Sequence, residues 1–187
     1  MTRPINLGTW FGLKTTISPL SIVSHLAVIP VAAVAAGVWL SLSLGGALWA
    51  GILSSLTLLV SAWLHQRGHA LAAKRVGYPM IGVHFHSLLS AGLYPADEPP
   101  LPPRTHILRA LGGFWVNLLI GLVLTPAMIN LWPAGGVIAW VTAVAVVWNF
   151  FVLGLGAFLP LDLPQITTDG GTILRYWREG RNGKRQM

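Results

Sequence analysis

Two histidines, His65 and His69, stand four residues apart at the charged end of a long apolar stretch. On an α-helix, residues with this spacing lie on one face about one turn apart, so both imidazole rings can reach a single metal ion. The chain contains no cysteine, which excludes thiolate ligands and disulfides. A transition metal bound here would therefore use histidine and carboxylate ligands.

The residue that follows the first histidine is Gln66. Catalytic zinc helices carry the pattern H-E-x-x-H, in which the glutamate takes a proton from the metal-bound water. An amide has nearly the shape of a carboxylate, but it is not basic at neutral pH. The pattern therefore predicts a metal site without its general base, although two histidines with this spacing also occur without any metal.

The composition is that of a membrane protein. Only 9% of the residues are charged, whereas a soluble domain carries about 25%. No charge lies between Lys14 and Arg67, and about 20 apolar residues cross a bilayer as a helix. We expect an all-α polytopic membrane protein that forms a single domain over residues 1–187. Four transmembrane spans are expected, at residues 20–44, 46–70, 107–131 and 137–158.

Short strands are expected beside these spans. Residues 1–18 form a strand segment before the first span, and residues 77–86 show partial two-residue alternation after a glycine that stops the second helix. Both segments indicate a small β element on the cytoplasmic side. Residues 94–103 are rich in proline, which is typical of a stiff and extended linker.

The net charge of +7 would suit nucleic acid, but its distribution argues against that partner. The basic residues precede the first span, lie between the second and third, or follow the fourth, where residues 175–187 form a basic tail. With four spans, these groups share one face, and the positive-inside rule makes that face cytoplasmic. We therefore expect both termini in the cytoplasm, contacts with lipid headgroups and no nucleic-acid partner.

A catalytic zinc site takes three protein ligands and a water molecule, so a carboxylate is needed beside the two histidines. Asp162 and Asp169 follow the fourth span, on the same membrane face as the histidines. Asp169 precedes two glycines and a short predicted helix, and its carboxylate could close the site. His84 and His86 alternate on a predicted strand, where they are either further ligands or ordinary surface histidines.

Taken in order, these motifs resemble the site-2 protease family of intramembrane zinc metalloproteases. Residues 65–73 are similar to its H-E-x-G-H-A-x-A-A helix apart from Gln66, and residues 111–117 are similar to its A-G-P-x-x-N motif. Residues 158–171 resemble its N-x-x-P…D-G element, except that Ala157 replaces the asparagine. The resemblance covers most of residues 7–178.

The resemblance implies a zinc ion held by His65, His69 and Asp169, with Gln66 at the position of the general base. It further implies that a transmembrane helix of another protein is cut near the cytoplasmic face of a prokaryotic plasma membrane. Because loss of a general base costs about 10²–10⁴-fold in rate, we expect this chain to be inactive or strongly impaired. Gln66 is either native or introduced to trap a protease intact, and the otherwise complete metal site favours the second origin.

Substrate contacts are implied for the strand region at residues 78–86, which would hold an unwound helix as an added strand. The residues assigned to substrate binding are Val83, His84, Phe85 and Asn149. Asn149, like Asn117, also fits a second interpretation, in which its amide hydrogen-bonds between helices.

The main alternative is a non-catalytic membrane protein. Such a pseudoprotease would bind transmembrane helices or serve as an assembly subunit, with zinc as a structural clip. A metal transporter or sensor has less support, because few ionisable residues lie in the other predicted spans. The sequence does not specify the substrate, a regulatory partner or the oligomeric state.

Overall fold

The structure is a computed structural model that describes residues 3–163 and 166–183. The chain begins with a β-hairpin of β1 (Ile5–Trp10) and β2 (Leu13–Ile17). Two long helices follow, α1 (Pro19–Leu40) and α2 (Leu44–Arg75). The linker between them is so short that the two helices run antiparallel.

A second hairpin follows α2 and leads through the proline-rich segment into the other half of the molecule. Its strands are β3 (Gly82–His86) and β4 (Leu89–Leu93), and the next helix is α3 (Pro103–Leu131). After a 3₁₀ turn, α4 (Gly136–Val146) continues directly as a π-helix (Val147–Leu155). The remaining elements are β5 (Asp162–Leu163), β6 (Ile166–Thr167) and α5 (Asp169–Gly183).

Among the residues that the structure describes, four helices are long and apolar enough to cross a membrane: α1, α2, α3 with its 3₁₀ turn, and α4 with its π-helical and 3₁₀ extensions. The number and order of the apolar helices agree with the sequence prediction. α2 has 32 residues, which is about 48 Å at 1.5 Å per residue. It therefore exceeds the roughly 30 Å hydrocarbon layer, and its last turn carries Lys74 and Arg75.

Local sequence explains where the first two helices begin and end. Ser18 caps α1 by accepting a hydrogen bond from the Ser21 amide, and Pro19 occupies the first turn, where no amide donor is needed. Ser43 caps α2 in the same way. Beyond α2, Gly77 has a φ of +82°, which is the left-handed conformation that stops a helix.

The predicted β element is a four-stranded sheet in the order β1-β2-β3-β4. β2 and β3 pair in parallel, whereas the two hairpins are antiparallel. The sheet packs on the C-terminal half of α2 through an apolar cluster of Leu13, Ile17, Ala62, Ala73, Met80, Val83 and Phe85. This packing holds β4 against the part of α2 that carries the two histidines.

The segment predicted as a basic tail is helical as far as Gly183, because α5 continues through it. Residues 184–187 of that tail, and residues 1 and 2 of the predicted N-terminal strand segment, lie outside the described residues. α5 packs on α3, where the rings of Tyr176 and His106 stack with centroids 3.8 Å apart.

Candidate metal centre

Two neighbouring histidines and an aspartate distant in the sequence meet at one point. His65 and His69 lie on α2, and Asp169 is the first residue of α5. The Asp169 carboxylate oxygens lie 3.3 Å from His65 Nε2 and 3.2 Å from His69 Nε2. The two Nε2 atoms are 3.1 Å apart. Both histidines are buried, and the Asp169 side chain is 13% exposed.

Hydrogen bonds on the far side of each ring fix which nitrogen carries the proton. His69 Nδ1 lies 2.8 Å from the main-chain carbonyl of Arg109, which can only accept, so Nδ1 donates. His65 Nδ1 lies 2.9 Å from Asn117 Oδ1. The Asn117 amide nitrogen donates to the Ser61 carbonyl, so its oxygen must face His65. In the neutral form of each ring, Nε2 then carries the lone pair that can bind a metal.

The donor set fits a divalent cation. Two Nε2 lone pairs and a carboxylate face one another, and Asp169 Oδ2 is buried without a hydrogen-bond donor. Burial raises the pKa of the Asp169 carboxyl, whereas positive charge at His69 and His65 lowers it to about 2. A metal cation between the two rings would supply the same positive charge when the imidazoles are neutral. Acceptors that meet without a donor repel one another unless a positive charge lies between them. Two histidines and one carboxylate are a common ligand set of catalytic zinc.

Glycines leave the space that the imidazoles occupy. A Cβ atom on Gly113 of α3 would lie 2.2 Å from His69 Nε2 and 2.6 Å from His65 Nε2. At the preceding residue of each helix, a Cβ on Gly68 would lie 2.3 Å from the Gly112 carbonyl oxygen, and a Cβ on Gly112 would lie 2.4 Å from the Gly68 oxygen. α2 and α3 therefore touch backbone to backbone beside the histidines.

Gln66 is buried next to the cluster and contacts β4. Its Nε2 donates a 2.9 Å hydrogen bond to the main-chain carbonyl of Ser90, while its Oε1 is buried and has no partner. The amide therefore serves as a donor to a strand. It has no basic lone pair with which to accept a proton from water.

The cluster opens into a cavity of about 750 Å³. Its walls come from α2, β4, the proline-rich segment, the start of α3, the π-helix and α5. The cavity contains His65, Gln66 and His69 together with residues 89–92 of β4. The cavity therefore extends between the candidate metal ligands and the main chain of β4.

No family model and no curated protein matches the chain. Among solved structures, the site-2 protease from Methanocaldococcus jannaschii is similar to it, with a TM-score of 0.64 and 18% identity. The match covers 92% of this chain and 70% of that one. The chain has the site-2 protease fold. The resemblance proposed from the sequence motifs is thereby supported on the level of structure.

Within the site-2 protease fold, the predicted ligands His65, His69 and Asp169 come together, with Gln66 beside them. They are the group of three histidine, aspartate or glutamate residues in the described chain whose ligand atoms lie within 4.8 Å of one another. His84 and His86 lie outside this group. His84 Nδ1 is 3.0 Å from Thr16 Oγ1, and Asp162 forms an ion pair with Arg175.

The residues assigned to substrate binding do not line the cavity. Val83 and Phe85 are almost fully buried in the cluster between the sheet and α2, and His84 is partly exposed. Their strand, β3, is paired on both edges, by β2 and β4. An added strand needs unpaired main-chain groups, which only an edge strand offers. The edge strand next to β3 is β4. A role of Val83, His84 and Phe85 in substrate binding stays a prediction.

Asn149 is 1% exposed and lies in the π-helix. Its oxygen accepts from Asn117 Nδ2 at 2.7 Å, and its own nitrogen donates to Ser61 Oγ at 2.8 Å. This network joins α2, α3 and the π-helix behind His65, as the inter-helix interpretation of both asparagines predicts. A substrate contact of Asn149 stays a prediction.

The sequence reasoning missed Arg109 and Glu98, which line the same cavity. A signal was available, since Arg109 falls inside the predicted span 107–131, where an ionisable residue is costly and needs a partner. It also missed Ser90, for which the sequence carries no signal, because the contact with Gln66 depends on how the β3–β4 hairpin folds onto α2.

Replacing Asn117 with alanine is expected to lower zinc affinity about 10–100-fold, because His65 Nδ1 loses the acceptor that fixes its tautomer. Zinc titration of the purified, metal-free protein measures the effect. Asn130→Ala is the matched control, since Asn130 is an exposed asparagine of the same helix. Equal affinities in the two variants would contradict the assigned role of Asn117.

Proposed function

We propose that the chain is an intramembrane protein with a zinc-metalloprotease site. In this proposal His65, His69 and Asp169 bind Zn²⁺, and a transmembrane helix of another protein is the substrate. The supporting observation is the convergence of two oriented Nε2 lone pairs and an ionised carboxylate inside a cavity, in a site-2 protease fold. A zinc ion would supply a polarised water and stabilise negative charge on the carbonyl oxygen of the scissile peptide.

The rest of the site would bind and orient the peptide. β4 is an edge strand next to the ligands, so an unwound segment can add to it through main-chain hydrogen bonds. The Ser90 carbonyl on this edge accepts from Gln66, so an entering strand competes with the Gln66 amide for it. The apolar lining from the π-helix suits the side chains of a transmembrane segment.

Gln66 makes hydrolysis slow in this proposal. Proton transfer from the attacking water to the leaving amine requires a group that is basic at neutral pH, and an amide is not. Residue 66 is close enough to the ligands to serve this role as a glutamate, since it is the helical neighbour of His65 and lines the same cavity. The chain is therefore expected to bind its substrate and to cut it slowly or not at all.

The membrane orientation is part of the same proposal. The basic residues of α2 lie in its last turn, and further arginines lie in α3 near its start and in α5. The positive-inside rule then places this end of the bundle, with both termini, in the cytoplasm. We propose the plasma membrane of a prokaryote as the location, in keeping with the resemblance noted in the sequence.

A second candidate function is that of a pseudoprotease that binds transmembrane helices without cutting them. The hydrogen bond from Gln66 to the Ser90 carbonyl favours it. An ionised glutamate at this place would set two acceptors against each other, whereas the amide is a matched donor. On this reading Gln66 is native and holds β4 in place.

Metal analysis tests the zinc site, which the protease and the pseudoprotease proposals have in common. The purified protein is expected to contain about one zinc per chain, and His69→Ala and Asp169→Ala are expected to lose it, because three protein ligands are needed. His86→Ala is the matched control, since His86 lies on β3 outside the cluster. Zinc content that is the same in all variants would refute the site, and a zinc-free wild-type protein that resists loading would do so as well.

A further inference from the structure

Arg109 is a buried cation whose charge is matched by one carboxylate. The residue is charged, yet it is only 4% exposed and lies about two turns after the start of the apolar helix α3. Its Nη1 donates to Glu98 Oε2 at 2.9 Å, and its Nη2 donates to Glu98 Oε1 at 2.5 Å. These hydrogen bonds from Arg109 lower the pKa of Glu98. The pair thus has the bidentate, fully ionised form that binds most strongly.

The same guanidinium joins three parts of the chain. Nη2 also donates to the Tyr78 carbonyl at 2.6 Å, in the loop that follows α2. The ring of Tyr94 lies against the guanidinium, with its centroid 4.1 Å from Cζ. Tyr94 and Glu98 belong to the proline-rich segment, and Arg109 belongs to α3. The position of this turn of α3 relative to α2 therefore depends on the side chain of Arg109.

The main-chain carbonyl of Arg109 is the acceptor that orients His69. On this basis we propose that Arg109 is a positioning residue of the metal site, and that Glu98 acts on His69 through it. The inference rests on the zinc site proposed above and adds a coupling to it. The packing of the proline-rich segment on α3 and the orientation of His69 are therefore coupled, because both depend on Arg109.

The physical reason is the cost of an unpaired buried charge. If Glu98 is removed, the guanidinium must find water or another acceptor, and a side chain in this position can do so only by moving. Movement of Arg109 shifts its turn of α3, and the carbonyl that holds His69 Nδ1 shifts with it. Loss of such an outer hydrogen bond typically costs 10–100-fold in metal affinity.

The first experiment is zinc titration of the full-length, metal-free protein. Glu98→Gln is expected to bind Zn²⁺ about tenfold more weakly or worse. Asp97→Asn, which removes the neighbouring, exposed carboxylate of the same segment, is expected to stay within about twofold of wild type. The electronic spectrum of the cobalt-substituted protein should change in Glu98→Gln alone, because it reports the geometry of the ligands rather than general stability.

A double-mutant cycle tests whether the effect runs through the arginine. If Glu98 acts only through Arg109, Glu98→Gln combined with Arg109→Gln should lose no more zinc affinity than Arg109→Gln alone. Should Arg109→Gln not be recovered folded, Arg109→Lys serves instead, because it keeps the charge and loses the bidentate geometry.

The experiments distinguish failure of the coupling through Arg109 from failure of the zinc site itself. A wild-type protein that binds zinc, together with equal affinities for Glu98→Gln and Asp97→Asn, would overturn the coupling and leave the zinc site standing. Losses that add fully in the double mutant would also overturn it. A wild-type protein that binds no zinc would overturn the proposed function and the inference together.

Discussion

Changing Gln66 to glutamate is expected to raise the rate at which the protein cuts a membrane-embedded reporter helix by about 10²–10⁴-fold. The new carboxylate can accept a proton from water and return it to the leaving amine, which the amide cannot do. The substitution is nearly isosteric and sits beside intact candidate ligands, so the zinc content should not change. The measurement is cleavage of a single-span reporter by the purified protein in proteoliposomes.

The matched control for this experiment is the double variant Gln66→Glu/His65→Ala, which should cut no faster than the unmodified chain. A zinc-loaded Gln66→Glu protein that leaves the reporter intact would argue against the protease and for the non-catalytic binder. In that case capture of the reporter by both residue-66 forms becomes the expected result.

Changing Gly113 to alanine is expected to abolish zinc binding. The added Cβ would lie 2.2 Å from His69 Nε2 and 2.6 Å from His65 Nε2, well inside van der Waals contact, and it would occupy the place where the ligand atoms meet. Both rings would have to rotate away from Asp169, or α3 would have to move away from α2 and lose the close backbone contact between Gly112 and Gly68. Zinc content of the purified variant is the measurement.

Gly37→Ala provides the control for helix effects, because a Cβ there meets only the Ala47 side chain at 3.7 Å, an ordinary contact. This variant should keep its zinc and be as stable as wild type or slightly more so, since alanine favours helix. Zinc binding by Gly113→Ala that equals that of Gly37→Ala would show that the metal does not lie between the Nε2 atoms.

The apolar helices and the histidine pair could be predicted because their signals are local. A stretch without charge from residue 15 to residue 66 predicts spans from length and hydropathy alone, and a four-residue spacing on one helix fixes the geometry of two rings. Asp169 is different. It lies 100 residues after His69, and only the order of the family motifs connects them.

The environment of the site could not be predicted in the same way. Which strand lies at the edge of the sheet follows from β2 pairing with β3, a contact between segments about 68 residues apart. The match between Glu98 and Arg109 likewise depends on how a proline-rich segment folds back over α3. The π-helix has no established sequence signature, yet its register places Asn149 against Asn117.

The length of α2 sets how far into the lipid the chemistry can occur. For an untilted helix, His65 and His69 stand about 32 and 38 Å from the first residue, Leu44, at 1.5 Å per residue. If Leu44 marks one boundary of a hydrocarbon slab roughly 30 Å thick, His65 lies at the opposite boundary and His69 lies about 8 Å beyond it. Water then needs no channel through the bilayer. Under the proposed function, the peptide bonds within reach are those near the end of a substrate helix, where its first or last turn already frays.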